Sequence, residues 1–165
     1  MIFSSETIGT PPCLPLLLEG IGTIRATGGR LSLPFHLTTL GEAYGMQAQP
    51  KAGLDRLAEA AELVETTQER WAEAETHRLR GTLLQSVGEH AAARDSYRHA
   101  LEVARRQGAK FWELRAAMSM ARLWRDQGKR DEARDLLAPV YGWFTEGFDT
   151  LDLKEAKALL DELAA

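Results

Sequence analysis

Set against itself at an offset of forty residues, the chain superposes small residues on small and large on large. Gly41, Gly81 and Ala121 coincide, as do Tyr44, Leu84 and Trp124; Gly53, Ala93 and Ala133; Leu57, Tyr97 and Leu137; and Ala60, Ala100 and Val140. A period of this length marks a stack of supersecondary units, none of which can bury its apolar face alone. The clearest copy is Trp71 to Gly108, two amphipathic stretches broken at Val87-Gly88 and closed by Gln107-Gly108. Within each copy a small residue precedes a large one by three positions in the first half. A small, a large and a small residue recur at i, i+4 and i+7 in the second, so each set shares one helix face. The small residues should let two backbones approach, while the large ones fill the groove against the next hairpin.

Start and stop signals divide the chain into helices over about 13–27, 34–46, 51–66, 69–87, 89–106, 110–127, 129–144 and 152–163. Pro34 suits a first helical turn, and the Gln49-Pro50 and Gly128 positions separate the halves of their hairpins. The expected fold is an all-α superhelix of three hairpins, spanning 31–68, 69–108 and 109–147. A half-unit at 13–27 leads it, and an acidic helix at 152–163 closes it through a capping box between Asp152 and Glu155. Residues 1–12 mix Ser, Thr, Gly and Pro without periodicity and are expected to be loose. The aromatic set Tyr44, Trp71, Tyr97, Phe111, Trp112, Trp124, Tyr141, Trp143 and Phe144 is assigned to packing within and between units. Trp71 and Phe111 share a register with Leu31 and are expected to bridge successive hairpins.

A net charge of −4, from 24 acidic and 20 basic residues, argues against a general nucleic-acid partner. The charge is uneven: the basic excess lies in residues 71–145, and both ends are acidic. Cys13 is the only cysteine, which excludes an intramolecular disulfide and a thiolate-rich zinc site and fits a reducing cytoplasm. The apolar run Leu14–Leu18 is too short for a membrane span or a signal-peptide core.

The motifs LGEAY at 40–44 with Gly53, Leu57 and Ala60, and RGTLL at 80–84 with Ala93, Tyr97 and Ala100, resemble the tetratricopeptide repeat family over about residues 30–145. The forty-residue period exceeds the family's usual thirty-four, and Arg80 stands where an apolar residue is usual. A likeness over residues 19–163 rests on HRLRG at 77–81, MARLWRDQGKRDEARDLLAPVYGWFTEGFDT at 120–150 and DLKEAKALLDEL at 152–163. These phrases look like the C-terminal repeat region of predicted bacterial ATPases fused to class III adenylate or guanylate cyclase domains. No G-x-x-x-x-G-K-[ST] occurs, and Gly20-Ile-Gly22 lacks the third glycine and preceding strand of a phosphate loop, so ATP binding by this chain is not expected.

The resemblance implies a concave groove lined by the first helices of successive units. Its expected lining is Phe35, Thr38, Glu42, Glu75, Arg78, Thr82, Gln85, Arg115, Met118, Arg122 and Arg125. The arginines at 115, 122 and 125 share about one helix face, and guanidinium forks suit carboxylates or phosphates, which points to an acidic peptide or protein partner. The bland reading is a solvated face with local pairs such as Glu75 with Arg78 and Arg122 with Asp126. Glu73 and His77 sit one turn apart and could share a metal, but the sequence offers no third ligand at a convincing spacing. No nucleophile, base and orienter occur in a recognisable order, so neither catalysis nor a cofactor is expected. The expected role is a non-catalytic protein-interaction module. The alternative is a regulatory arm of a signalling ATPase or cyclase, or one that self-associates through its N-terminal half-unit.

Overall fold

A computed structural model describes residues 13–165; the segment 1–12, expected to be loose, lies outside the described residues. Eight α-helices and no strand occur among the described residues: α1 (Cys13–Ala26), α2 (Leu33–Met46), α3 (Pro50–Thr67), α4 (Glu73–Ser86), α5 (His90–Gln107), α6 (Lys110–Asp126), α7 (Arg130–Tyr141) and α8 (Leu151–Ala164). None is long and apolar enough to cross a membrane.

The turns repeat as faithfully as the helices. After each first helix the chain turns through a left-handed residue, at Ala48, Gly88 and Gly128. The next amide then reaches back five residues, Gln49 to Tyr44 O at 2.9 Å, Glu89 to Leu84 O at 2.9 Å and Lys129 to Trp124 O at 2.8 Å. This closure satisfies carbonyls that the helix end would leave open, and it needs positive φ, which glycine adopts without a Cβ penalty.

Three element boundaries depart from the sequence reading. The helix expected from residue 69 begins at Glu73, because a turn closed by the Glu73 amide on Arg70 O (3.1 Å) precedes it. The helix expected to reach Phe144 ends at Tyr141, where the Trp143 and Phe144 amides close short turns on Val140 O (3.4 Å) and Tyr141 O (3.1 Å) instead of continuing the helical ladder. The Asp152–Glu155 capping box does not form. Helix α8 starts one residue earlier with Thr150 at its N-cap, and the Asp152 carboxylate turns instead toward Arg115, 3.5 Å away.

The first helices α2, α4 and α6 pack in succession, and α8 continues the row against α6 and α7. The second helices α3, α5 and α7 pack on their own first helix and on the next one but do not meet one another. Such an arrangement curves, with the first helices on the inner side and open notches between the second helices on the outer side. Helix α8 thus takes the place of the first helix of a further unit, and α1, packed on α2, takes that of a second helix with no first helix of its own among the described residues.

Close approach within each hairpin explains the small residues. A Cβ on Gly81 would lie 2.5 and 2.6 Å from the Tyr97 ring and 3.1 Å from Ala93 O; one on Gly41 would lie 2.7 Å from Leu57 and 3.2 Å from Gly53 O. The large residues of the second helices therefore cover the glycine of their own hairpin, where the sequence suggested the neighbouring one. The gap between the first two hairpins is filled from the other side by Leu83, which would meet a Cβ on Gly53 at 2.6 Å. The aromatic set divides. Tyr97 is buried, and Tyr44, Trp112, Trp124, Tyr141 and Phe144 pack against the cores. Phe111 and Trp143 are 46% and 58% exposed, which corrects their assignment as packing residues. Trp71 is 51% exposed but keeps an inter-unit contact, its ring 4.7 Å from Phe35 of the preceding unit.

Candidate partner-binding face

On the inner face, Arg78 of α4 is the central cation. Its Nε and Nη2 donate to the two carboxylate oxygens of Glu75, both at 2.7 Å, and its Nη1 donates to Ser119 Oγ of α6 at 3.4 Å. Both side chains are nearly enclosed, 11% exposed for Arg78 and 6% for Glu75. Burial alone would lower the Arg78 pKa, but the hydrogen bond and charge of Glu75, with Glu42 nearby, outweigh it and hold the guanidinium above its ordinary value. Such a fork is a fixed charge that does not titrate in the physiological range.

From this pair an ionic ladder runs toward the C-terminus. Arg115 Nη1 lies 2.8 Å from Glu75 Oε1, its Nε lies 3.5 Å from Asp152, and its guanidinium sits over the rings of Phe111 and Trp112 at 6.0 and 5.7 Å. Arg122 pairs with Glu155 at 2.7 Å, and Arg125 with Asp126 at 2.8 Å and Glu162 at 3.0 Å. The expected Glu75–Arg78 pair is present; Asp126, expected to pair with Arg122, is taken by Arg125 instead. Helix α8 thereby supplies a carboxylate to each of the three arginines that seemed to offer a free basic stripe. Asp152, Glu155 and Glu162 are the residues that sequence reasoning missed here, because the acidity of the C-terminal helix does not by itself show which arginines it faces.

The other expected groove residues separate into open and enclosed. Glu42, Thr82 and Gln85 line two shallow depressions, about 300 Å³ beside Glu42 and Met46 and about 340 Å³ beside Gln85 and Arg122, with Arg78, Thr82 and Ser86 common to both. Thr82 is exposed, and Tyr97 Oη donates to Gln85 Oε1 at 2.9 Å from beneath. Phe35 is half-buried against Trp71 at the rim. Thr38 and Met118 are corrections. Thr38 is fully buried, its hydroxyl bonded to Pro34 O at 2.9 Å and Thr76 Oγ1 at 2.7 Å, and Met118 belongs to the core around α6. Thr38 lies where α2 and α4 touch and Met118 in the core, positions that helical periodicity does not separate from the open groove.

Two further features lie off this face. A depression of about 550 Å³ sits between α1, α3 and the start of α2, with Arg25, Glu59 and Leu63 in its wall. On the outer side, Glu73 and His77 of α4 meet His99 of α5 in a notch of about 310 Å³. Burial, with the neighbouring His99 and Arg80, pushes the His77 imidazole down to about 4, so it is neutral near pH 7.

No protein-family description matches the sequence, and no curated protein matches it. Among solved structures, the chain is similar to a protein described as a Podosopora anserina kinesin light chain with nearly identical TPR-like repeats. The TM-score is 0.67 at 15% identity, covering 93% of this chain and 77% of that one. A point variant of that same protein gives 0.69 at 14% identity, covering 93% and 76%. MamA aligns at 22% identity over 92% of this chain and 80% of its own, with a TM-score of 0.49. The first two likenesses establish the fold as a tetratricopeptide-like helical solenoid.

Proposed function

We propose that the chain is a non-catalytic protein-interaction module that holds a peptide segment or partner protein along the inner face of its first helices. The observation that carries this is the pair of adjoining depressions joined at Arg78 and Thr82, where side chains of α2, α4 and α6 converge on one open strip. A preformed strip of this kind binds with little ordering cost, because helices already fix its side chains. The net charge of −4 and the single cysteine support a cytoplasmic protein partner over a nucleic acid. The test is capture of labelled peptides from a library of extended sequences by the wild type and by Thr82→Tyr, which fills the strip from an exposed position. Loss of the selected binding in the variant, with unchanged melting, supports the proposal; equal binding by both proteins overturns it.

A second reading, the self-associating arm of a signalling ATPase or cyclase, draws on one observation. Leu16 and Leu18 are 66% and 45% exposed on α1, which has no first helix of its own among the described residues. It predicts a dimer in solution that becomes monomeric when residues 1–28 are removed. A monomeric parent chain would sink it.

A further inference from the structure

The outer notch brings together three ligating groups that the sequence leaves apart. Glu73 and His77 project from one face of α4 one turn apart, and His99 arrives from the facing side of α5. One ligand atom from each lies within 4.8 Å of the other two, and the two imidazoles meet edge to face with centroids 4.2 Å apart. We infer that Glu73, His77 and His99 form a binding site for a divalent transition-metal ion, with one coordination position open to water or to a partner's side chain.

Donor chemistry and geometry carry this inference. Two imidazoles and a carboxylate are a set that Zn²⁺ and its neighbours prefer, and three protein ligands leave the fourth tetrahedral position free. Ligand atoms about 2.0–2.2 Å from a tetrahedral ion stand roughly 3.4 Å from one another, so separations of up to 4.8 Å must close by up to about 1.4 Å. His99 can supply this movement, because its side chain is 48% exposed. The His77 ring makes no hydrogen bond among the described residues, which leaves its nitrogens uncommitted to the protein.

The surroundings are built to hold the carboxylate in place. Arg70 Nη1 donates to Glu73 Oε1 at 3.2 Å and Gln107 Nε2 to Glu73 Oε2 at 3.4 Å, the outer-shell support that orients a ligating carboxylate. Ala61 and Val64 of α3 form an apolar wall. Of the charged groups around the notch, Glu62 and Glu65 come from α3, Arg70 from the turn before α4, Arg80 from α4, and Glu102 and Arg106 from α5. With Glu73 included, four carboxylates and three guanidinium groups surround the notch; Arg80 acts against positive charge at His77, and Arg106 Nη2 lies 3.8 Å from Glu73 Oε2.

The test is calorimetric titration of Zn²⁺ into the full chain after chelation and buffer exchange, paired with thermal melts. The inference predicts one saturable site per chain and a melting temperature raised by Zn²⁺. His99→Ala, at an exposed position, should fold normally, bind at least tenfold more weakly and lose the Zn²⁺-dependent shift. His77→Ala should do the same, and His90→Ala, an exposed histidine elsewhere, should change neither readout. Absence of saturable binding in the wild type, or binding that His99→Ala leaves intact, would overturn the inference.

Discussion

The joint between α2 and α4 and the joints among α4, α6 and α8 occupy equivalent places in the array but are made of different chemistry. At the first, a hydroxyl pair between Thr38 and Thr76, a Phe35–Trp71 contact and the Leu83 side chain against Gly53 join the units almost without charge. At the later ones, Glu75, Arg115, Asp152, Arg122, Glu155, Arg125 and Glu162 interlock as a run of ions. The same stacking geometry thus tolerates a dry seam or a charged one, since both satisfy what they bury. The difference lies in what each seam offers a ligand: charged side chains at a rim can exchange partners, and a buried hydroxyl pair cannot.

The contrast can be broken most forcefully at Glu75. Glu75→Gln removes the charge that holds both Arg78 and Arg115, and leaving a nearly buried guanidinium unpaired should cost about 3–5 kcal/mol in urea unfolding. A loss below about 1 kcal/mol would show that the ionic seam contributes no more than a surface pair. Leu83→Ala tests the dry seam and should cost about 2–5 kcal/mol by emptying the space over Gly45 and Gly53. A near-neutral result would mean the first joint is held elsewhere. Thr76→Val leaves the Thr38 hydroxyl bonded to Pro34 O alone and should cost about 0.5–1.5 kcal/mol, independent of salt. Arg122→Ala removes an exposed pair with Glu155 and should cost under about 1 kcal/mol, an effect that shrinks as ionic strength rises. Salt dependence at Arg122 without any at Thr76 is the sharpest signature of the two seams.

The repeat was legible because its cause is local: glycine or alanine must sit where a Leu or Tyr of the partner helix presses, and that requirement recurs every forty residues. The helix ends were legible where Pro34, Pro50 and Gly128 mark them and illegible at Glu73 and Tyr141, where tertiary turns shorten a continuous amphipathic pattern. Of the groove, the arginines were found by their shared face. Their partners were not, because Arg115–Asp152 and Arg125–Glu162 connect residues 37 apart, one period less about one helical turn, and only the stacking of α8 on α6 brings them together. Thr38 and Met118 were placed in the groove for the same reason in reverse, since the turn between an open face and a helix contact is smaller than helical periodicity resolves. His99 completes a cluster with Glu73 and His77 from the facing helix, a relation that no spacing along one helix can reveal.

These pairings alter what an acidic partner must do. On the inner face Arg115, Arg122 and Arg125 already pair with Asp152, Glu155 and Glu162 of α8, so under the proposed function a carboxylate-bearing peptide would compete with those carboxylates. The most direct measurement is the affinity of the wild type and of the Glu155→Gln, Glu162→Gln double variant for a Glu-containing peptide selected from the library, compared at low and high salt. Tighter binding by the double variant, most marked at low salt, is the predicted result; unchanged or weaker binding would contradict the account of α8 as an internal competitor for the face.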